Sequence, residues 1–174
     1  MTLRQLRDSL TSVPFNSLLG MRLRRMHRDG ITIYCTLRND LRNRTGVAHG
    51  GIAAAMADAA VGGAIQRHFG GGRRSTTVEL KINYFLPVTE GRIFARSHLL
   101  RIGSTLCVGS VDLTDEQGRA VGTAIVTYML INPPAVRTSD LGRHTSGPQA
   151  SARVPSFPSV VPSARRVTRR SRRK

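Results

Sequence analysis

The sequence predicts an α+β domain in which one long buried helix is wrapped by a curved antiparallel sheet. Three observations carry that expectation. Between Gly46 and Ile65 the chain holds one imidazole, His49, one carboxylate, Asp58, and otherwise only small or apolar residues. In a chain that is 21% charged, a run so poor in charge belongs in an interior. A hairpin-like pair of segments precedes this run, and four strand-like segments with short connections follow it.

Taken in order, Leu3, Leu6 and Leu10 form an apolar stripe at helical spacing, and Pro14 to Gly20 reads as a second, short helix closed by glycine. Met21 to His27 and Ile31 to Leu37 are strand candidates joined through Asp29-Gly30, a strong hairpin signal. Asp40 to Ala48 is a polar loop. The central helix begins near Gly50, runs on alanine, the best helix former, and reaches about His68, for a length of roughly 28 Å. Gly70-Gly71-Gly72 stops it. Strands are expected over 75–86, 92–101, 105–114 and 120–131, in sequence-consecutive pairing as an antiparallel meander. In the first of them Val78, Leu80, Ile82 and Tyr84 alternate with Glu79, Lys81 and Asn83, which assigns the first set to the inner face. Asn132-Pro133-Pro134 ends the last strand.

Of the 174 residues 40% are apolar, enough for one domain, expected over 1–134, with a proper core. The formal charge of +17 is unevenly placed, because residues 135–174 hold ten basic side chains against the single acid Asp140. That stretch, rich in Arg, Ser and Pro, reads as a disordered basic tail. Nonspecific, salt-dependent contact with nucleic acid is one reading of it, and a solvated extension without a role is the other. Cys35 and Cys107 have no metal or redox spacing and read as buried reduced thiols. There is no charged start followed by an apolar core of a leader. The uncharged run Thr45 to Ala57 is 13 residues and the longest, Ala120 to Val136, is 17, both short of the ~20 that span a bilayer. These features point to the cytoplasm. His27, His68, His98 and His144 lack partners at ligand spacing, so neither a metal nor another cofactor is expected.

Asp58 lies in the middle of the buried run, where an unpaired carboxylate costs several kcal/mol. Function is the leading reason to keep it there. The Gly50 N–H, at a helix start, is an unpaired donor in a positive field, able to stabilise a carbonyl oxygen becoming an oxyanion. Eight residues separate Gly50 from Asp58, roughly 12 Å along the helix. One helix cannot bring both to one carbon, so two subunits must supply them if they act together.

Asn43-x-x-Gly46-x-x-His49-Gly50-Gly51, the Ala57-Asp58-Ala59 of the helix, and Thr77-Val78-Glu79-Leu80-x-Ile82-x-Tyr84-x-x-Pro87 together resemble the hotdog-fold acyl-CoA thioesterases, in their phenylacetyl-CoA thioesterase-like branch. The resemblance implies a homodimer or homotetramer that hydrolyses an acyl- or aryl-CoA to free acid and coenzyme A. It implies that the Gly50 N–H polarises the thioester carbonyl and that Asp58 of the other subunit is the general base or nucleophile. Asn43 and His49 are implied to shape the site, and the Thr77 hydroxyl to orient water. Arg101 is the implied coenzyme A contact, with Gly51, Arg73 and Arg74 as further candidates; Arg73 and Arg74 read more simply as a solvated loop than as phosphate ligands. Glu79, Tyr84 and Tyr128 read as sheet residues. Two other readings are a noncatalytic acyl-CoA-binding regulator and a hotdog enoyl-CoA hydratase. The hydratase needs an acid close to His49, and the nearest one before it is Asp40.

Overall fold

The computed structural model describes residues 1–131. The basic tail expected at 135–174 and its possible nucleic-acid contact lie outside the described residues. Two helices open the chain, α1 (Leu3–Ser12) and α2 (Pro14–Leu18). A reciprocal capping box starts α1, in which Thr2 Oγ1 accepts from the Gln5 N–H at 3.2 Å and Gln5 Oε1 accepts from the Thr2 N–H at 2.8 Å. Strands β1 (Arg22–His27) and β2 (Gly30–Thr36) form the expected hairpin. At its turn, Asp29 accepts from Arg96 and His98 of a neighbouring strand, and these bonds, Arg96 first, hold its carboxyl far below the usual carboxylate range. The long helix α3 (Gly50–His68) follows, then β3 (Arg74–Tyr84), β4 (Arg92–Ile102), β5 (Leu106–Thr114) and β6 (Ala120–Ile131).

All six strands join one antiparallel sheet in the order β1-β2-β4-β5-β6-β3. The expected four-strand meander is therefore corrected. Strands β4 to β6 form a meander, while β3 crosses to the far edge and pairs with β6. The reason lies in the connection 85–91, which is too engaged elsewhere to be a hairpin turn. The Phe85 N–H donates to Val121 O at 2.9 Å, Val88 O accepts from the Ala48 N–H at 2.8 Å, and Gly91 O accepts from the Leu37 N–H at 2.9 Å. The segment so tied carries the chain past the start of α3 and delivers β4 to β2.

One face of α3, with Ile52, Met56, Ala60, Val61 and Ile65, is buried against Ile31, Ile33, Val111, Leu113 and Val126 of the sheet. Small side chains let the sheet approach the helix closely. The opposite face, carrying Ala55, Asp58, Ala59, Gly62 and Gln66, is half-buried. Asp58 is thus less enclosed than its charge-poor surroundings suggest, because helix-period alanines pack on one side only and the other side remains open.

A second correction concerns β3. The ladder with β6 shifts register between Thr77 and Glu79, leaving Val78 as a bulge that is 52% exposed. Strict alternation assigned Val78 to the inner face, but the extra residue flips the phase and turns Thr77 toward α3 instead. Both cysteines are buried and free. Among the described residues no helix is long and apolar enough to cross a membrane.

Candidate active site

The first half of the site is the start of α3. His49 is its N-cap, and its Nδ1 accepts from the Gly51 N–H at 3.0 Å. An accepting Nδ1 leaves Nε2 as the ring's donor. The Gly51 N–H is consumed by this cap. The Gly50 N–H, first in the helix, meets no acceptor among the described residues and is free for a ligand oxygen. On its other side, Gly50 O accepts from the Tyr84 hydroxyl at 2.8 Å, which fastens the helix start to the end of β3.

The loop leading in is folded by Asn43. Its Oδ1 accepts from the Thr45 N–H at 2.9 Å, the Thr45 hydroxyl at 2.8 Å and the Val47 N–H at 3.3 Å. Gly46, with φ of 82°, makes the turn possible. Asn43 therefore acts on the site by shaping the backbone that delivers His49. An apolar cavity of about 310 Å³ opens here, lined by Val47, His49, Gly50, Tyr84 and Phe85 among others.

The second half lies two turns along α3. Asp58 Oδ1 accepts from the Thr77 hydroxyl at 2.7 Å and from the Tyr128 hydroxyl at 2.7 Å. Oδ2 has no hydrogen-bond donor among the described residues. Burial, and then the Asp58 charge, pushes the Tyr128 hydroxyl well above its ordinary value, so it stays a proton donor. A cavity of about 270 Å³ opens beside Asp58, between α3 and the two N-terminal helices, with Leu10, Phe15, Gly62 and Tyr128 in its wall.

The cationic candidates are scattered. Arg73 donates to Ser104 O at 3.0 Å and lies 5.8 Å over the Phe69 ring, tying the end of α3 to the β4–β5 turn. Arg74 is exposed at the start of β3. Arg101 is exposed on β4, three strands from β3, or roughly 14 Å at ~4.8 Å per strand. The fold does not gather Arg73, Arg74 and Arg101 around Gly50 or Asp58. Among the described residues no group of three or more His, Cys, Asp or Glu could hold a metal ion.

Sequence reasoning brought Thr77 to Asp58 but missed Tyr84 and Tyr128. Alternation gave Tyr84 an inward face, and Tyr128 read only as a sheet residue, so neither hydroxyl's partner was visible.

A long helix cradled by one antiparallel sheet, with His-Gly-Gly at its start, is the hotdog fold. Residues 45–121 match the family model of the Thioesterase superfamily. Over 133 residues the chain is 29% identical to the medium/long-chain acyl-CoA thioesterase YigI of Escherichia coli, covering 68% of this chain and 86% of that one. Solved structures with the same fold include a thioesterase from Haemophilus influenzae, with TM-score 0.71 and 24% identity over 76% of this chain and 92% of that one. A thioesterase family protein from Silicibacter pomeroyi gives TM-score 0.68 and 26% identity, covering 74% of this chain and 96% of that one.

Proposed function

We propose that the protein is an acyl-CoA thioesterase whose active site is completed by a second copy of the chain. The observation that carries this reading is the placement of the two half-sites on one edge strand. Thr77, bonded to Asp58, and Tyr84, bonded to Gly50, both belong to β3, the last strand of the sheet. An 11-residue edge strand invites pairing. If β3 pairs antiparallel with its copy about a twofold axis near Leu80, each Tyr84 end comes to lie opposite the partner's Thr77 end. Gly50 of one chain then adjoins the other chain's Asp58, and the two cavities become one. The partner also covers the half-exposed face of α3.

In that site the thioester oxygen accepts from the Gly50 N–H, where charge develops as the carbonyl becomes tetrahedral. Oδ2 of the other chain's Asp58, the oxygen without a donor, takes a proton from water that attacks the carbonyl carbon, or attacks it directly. Collapse of the intermediate breaks the C–S bond and releases the coenzyme A thiol, with the free acid where water attacked; where Asp58 attacked, water then hydrolyses the acyl–aspartyl anhydride to release the acid and restore the carboxylate. His49 Nε2–H is positioned to assist the leaving sulfur, and Arg101, Arg74 and Arg73 are left as outer contacts for the coenzyme A phosphates. The apolar wall of the cavity beside Gly50, and the likeness to a medium/long-chain enzyme, favour an aliphatic acyl chain. Ile125, Met129 and Ile131 on β6 with Leu106 on β5 expose an apolar band on the outer face of the sheet, which supports a further pairing of dimers into a tetramer. Two buried free thiols suit a reducing, cytoplasmic setting.

The test is a panel of short, medium, long-chain and aryl-CoA thioesters followed by free-thiol release. Release, strongest with medium or long aliphatic chains, is the expected result. No release with acyl-CoA still bound would favour the regulator, and hydration of an enoyl-CoA would favour the hydratase. Asp40, the nearest acid before His49, is held by Arg38 at 3.1 Å, which weighs against the latter.

A further inference from the structure

We infer that Tyr128 is a positioning residue for Asp58, holding one carboxylate oxygen so that the other is presented to the reacting carbon or its water. The inference rests on the reading of Asp58 as the base or nucleophile. Tyr128 and Thr77 are direct partners in the β3–β6 ladder, so one cross-strand pair supplies both hydroxyls that meet on Asp58 Oδ1. Side chains of such a pair start only about 4.5–5.5 Å apart, close enough to converge on a single atom. The bulge at Val78 is what gives Thr77 this face. Tyr128 is 7% exposed and its hydroxyl also lies 2.9 Å from the Asp58 carbonyl oxygen. It therefore touches both the backbone and the side chain of the same residue.

The helix is cut to admit this hydroxyl. Gly62 sits one turn beyond Asp58 on the same face, and a Cβ there would come within 2.6 Å of the Tyr128 oxygen. No side chain fits that gap without moving the ring. A glycine in a helix interior costs about 1 kcal/mol relative to alanine, and the room it leaves is filled by Tyr128. Because the phenol stays protonated, it can only donate to the carboxylate; it does not compete as a base. Two short hydroxyl bonds to an ionised oxygen are strong ones and leave Oδ2 with its lone pairs unengaged.

The test compares Tyr128→Phe, Gly62→Ala and the double variant of the full chain, on whichever thioester the native protein hydrolyses. Tyr128→Phe is expected to lower kcat by about 10- to 100-fold, the range for a lost hydrogen bond to a charged group, with KM within about twofold. Gly62→Ala is expected to give a similar loss by displacing the hydroxyl. With phenylalanine at 128, the nearest ring atom to that Cβ is 3.2 Å away, so the double variant is expected to be no worse than Tyr128→Phe alone. A kcat for Tyr128→Phe within twofold of native, or losses that multiply in the double variant, would overturn the inference. A crystal structure of Tyr128→Phe gives a readout independent of catalysis: the Asp58 carboxylate is expected to leave its native rotamer, and an unmoved carboxylate would overturn the positioning role. Failure of native protein to release thiol tests the thioesterase reading separately.

Discussion

Asparagine in place of Asp58 is expected to lower kcat by about 10²- to 10⁴-fold, the typical contribution of a positioned general base, and to leave the fold intact. Asparagine keeps a carbonyl oxygen where Oδ1 accepts the Thr77 and Tyr128 hydroxyls at 2.7 Å each, so neither hydroxyl is orphaned. What disappears is the charge and basicity of Oδ2. Thiol release at saturating substrate, measured beside a thermal melt, separates the two effects. A variant that melts like the native chain and hydrolyses at the native rate would remove Asp58 from the mechanism.

The second large effect is expected at Gly50, where the functional atom belongs to the backbone. Proline removes the N–H yet suits the first position of a helix. The preceding His49, with φ −64° and ψ 129°, already has the backbone that a following proline requires. Gly50→Pro is expected to lower kcat by about 10²- to 10³-fold with helix content preserved. Alanine is the control. Its Cβ meets the Tyr84 ring and hydroxyl at 3.1 Å, a crowding shared by proline, but it keeps the donor. The extra loss in proline over alanine reads the oxyanion contact. Equal losses would assign the effect to crowding at Tyr84.

How much of this could be read along the chain follows from which interactions are local. The helix was legible because its composition is, and Gly50 and Asp58 because they are its only features at a start and a middle. His49 was read only as shaping the site, and its capping bond to the Gly51 N–H comes from the structure. The partners of Asp58 stand 19 and 70 residues away, and such distances depend on strand order. That order was misread because the Pro87 connection is short enough to look like a hairpin. Alternation along β3 also failed at one residue, since a bulge at Val78 carries no clear signal in a run of β-formers. Yet that residue decides that Thr77, and not a valine methyl, faces the carboxylate. Tyr128 was legible only as a sheet residue. Its hydroxyl acquires a purpose once Gly62, 66 positions earlier, is seen to leave room for it.

Subunit complementation tests the shared site most directly. Gly50→Pro and Asp58→Asn chains, each nearly inactive alone, are co-expressed and the mixed dimers assayed for thiol release. If the site draws Gly50 from one chain and Asp58 from the other, every mixed dimer contains one site with both native groups and one with neither. Random pairing then restores about a quarter of native activity. If each chain instead carries its own complete site, every site in the mixture lacks one group, and activity stays at the level of the separate variants.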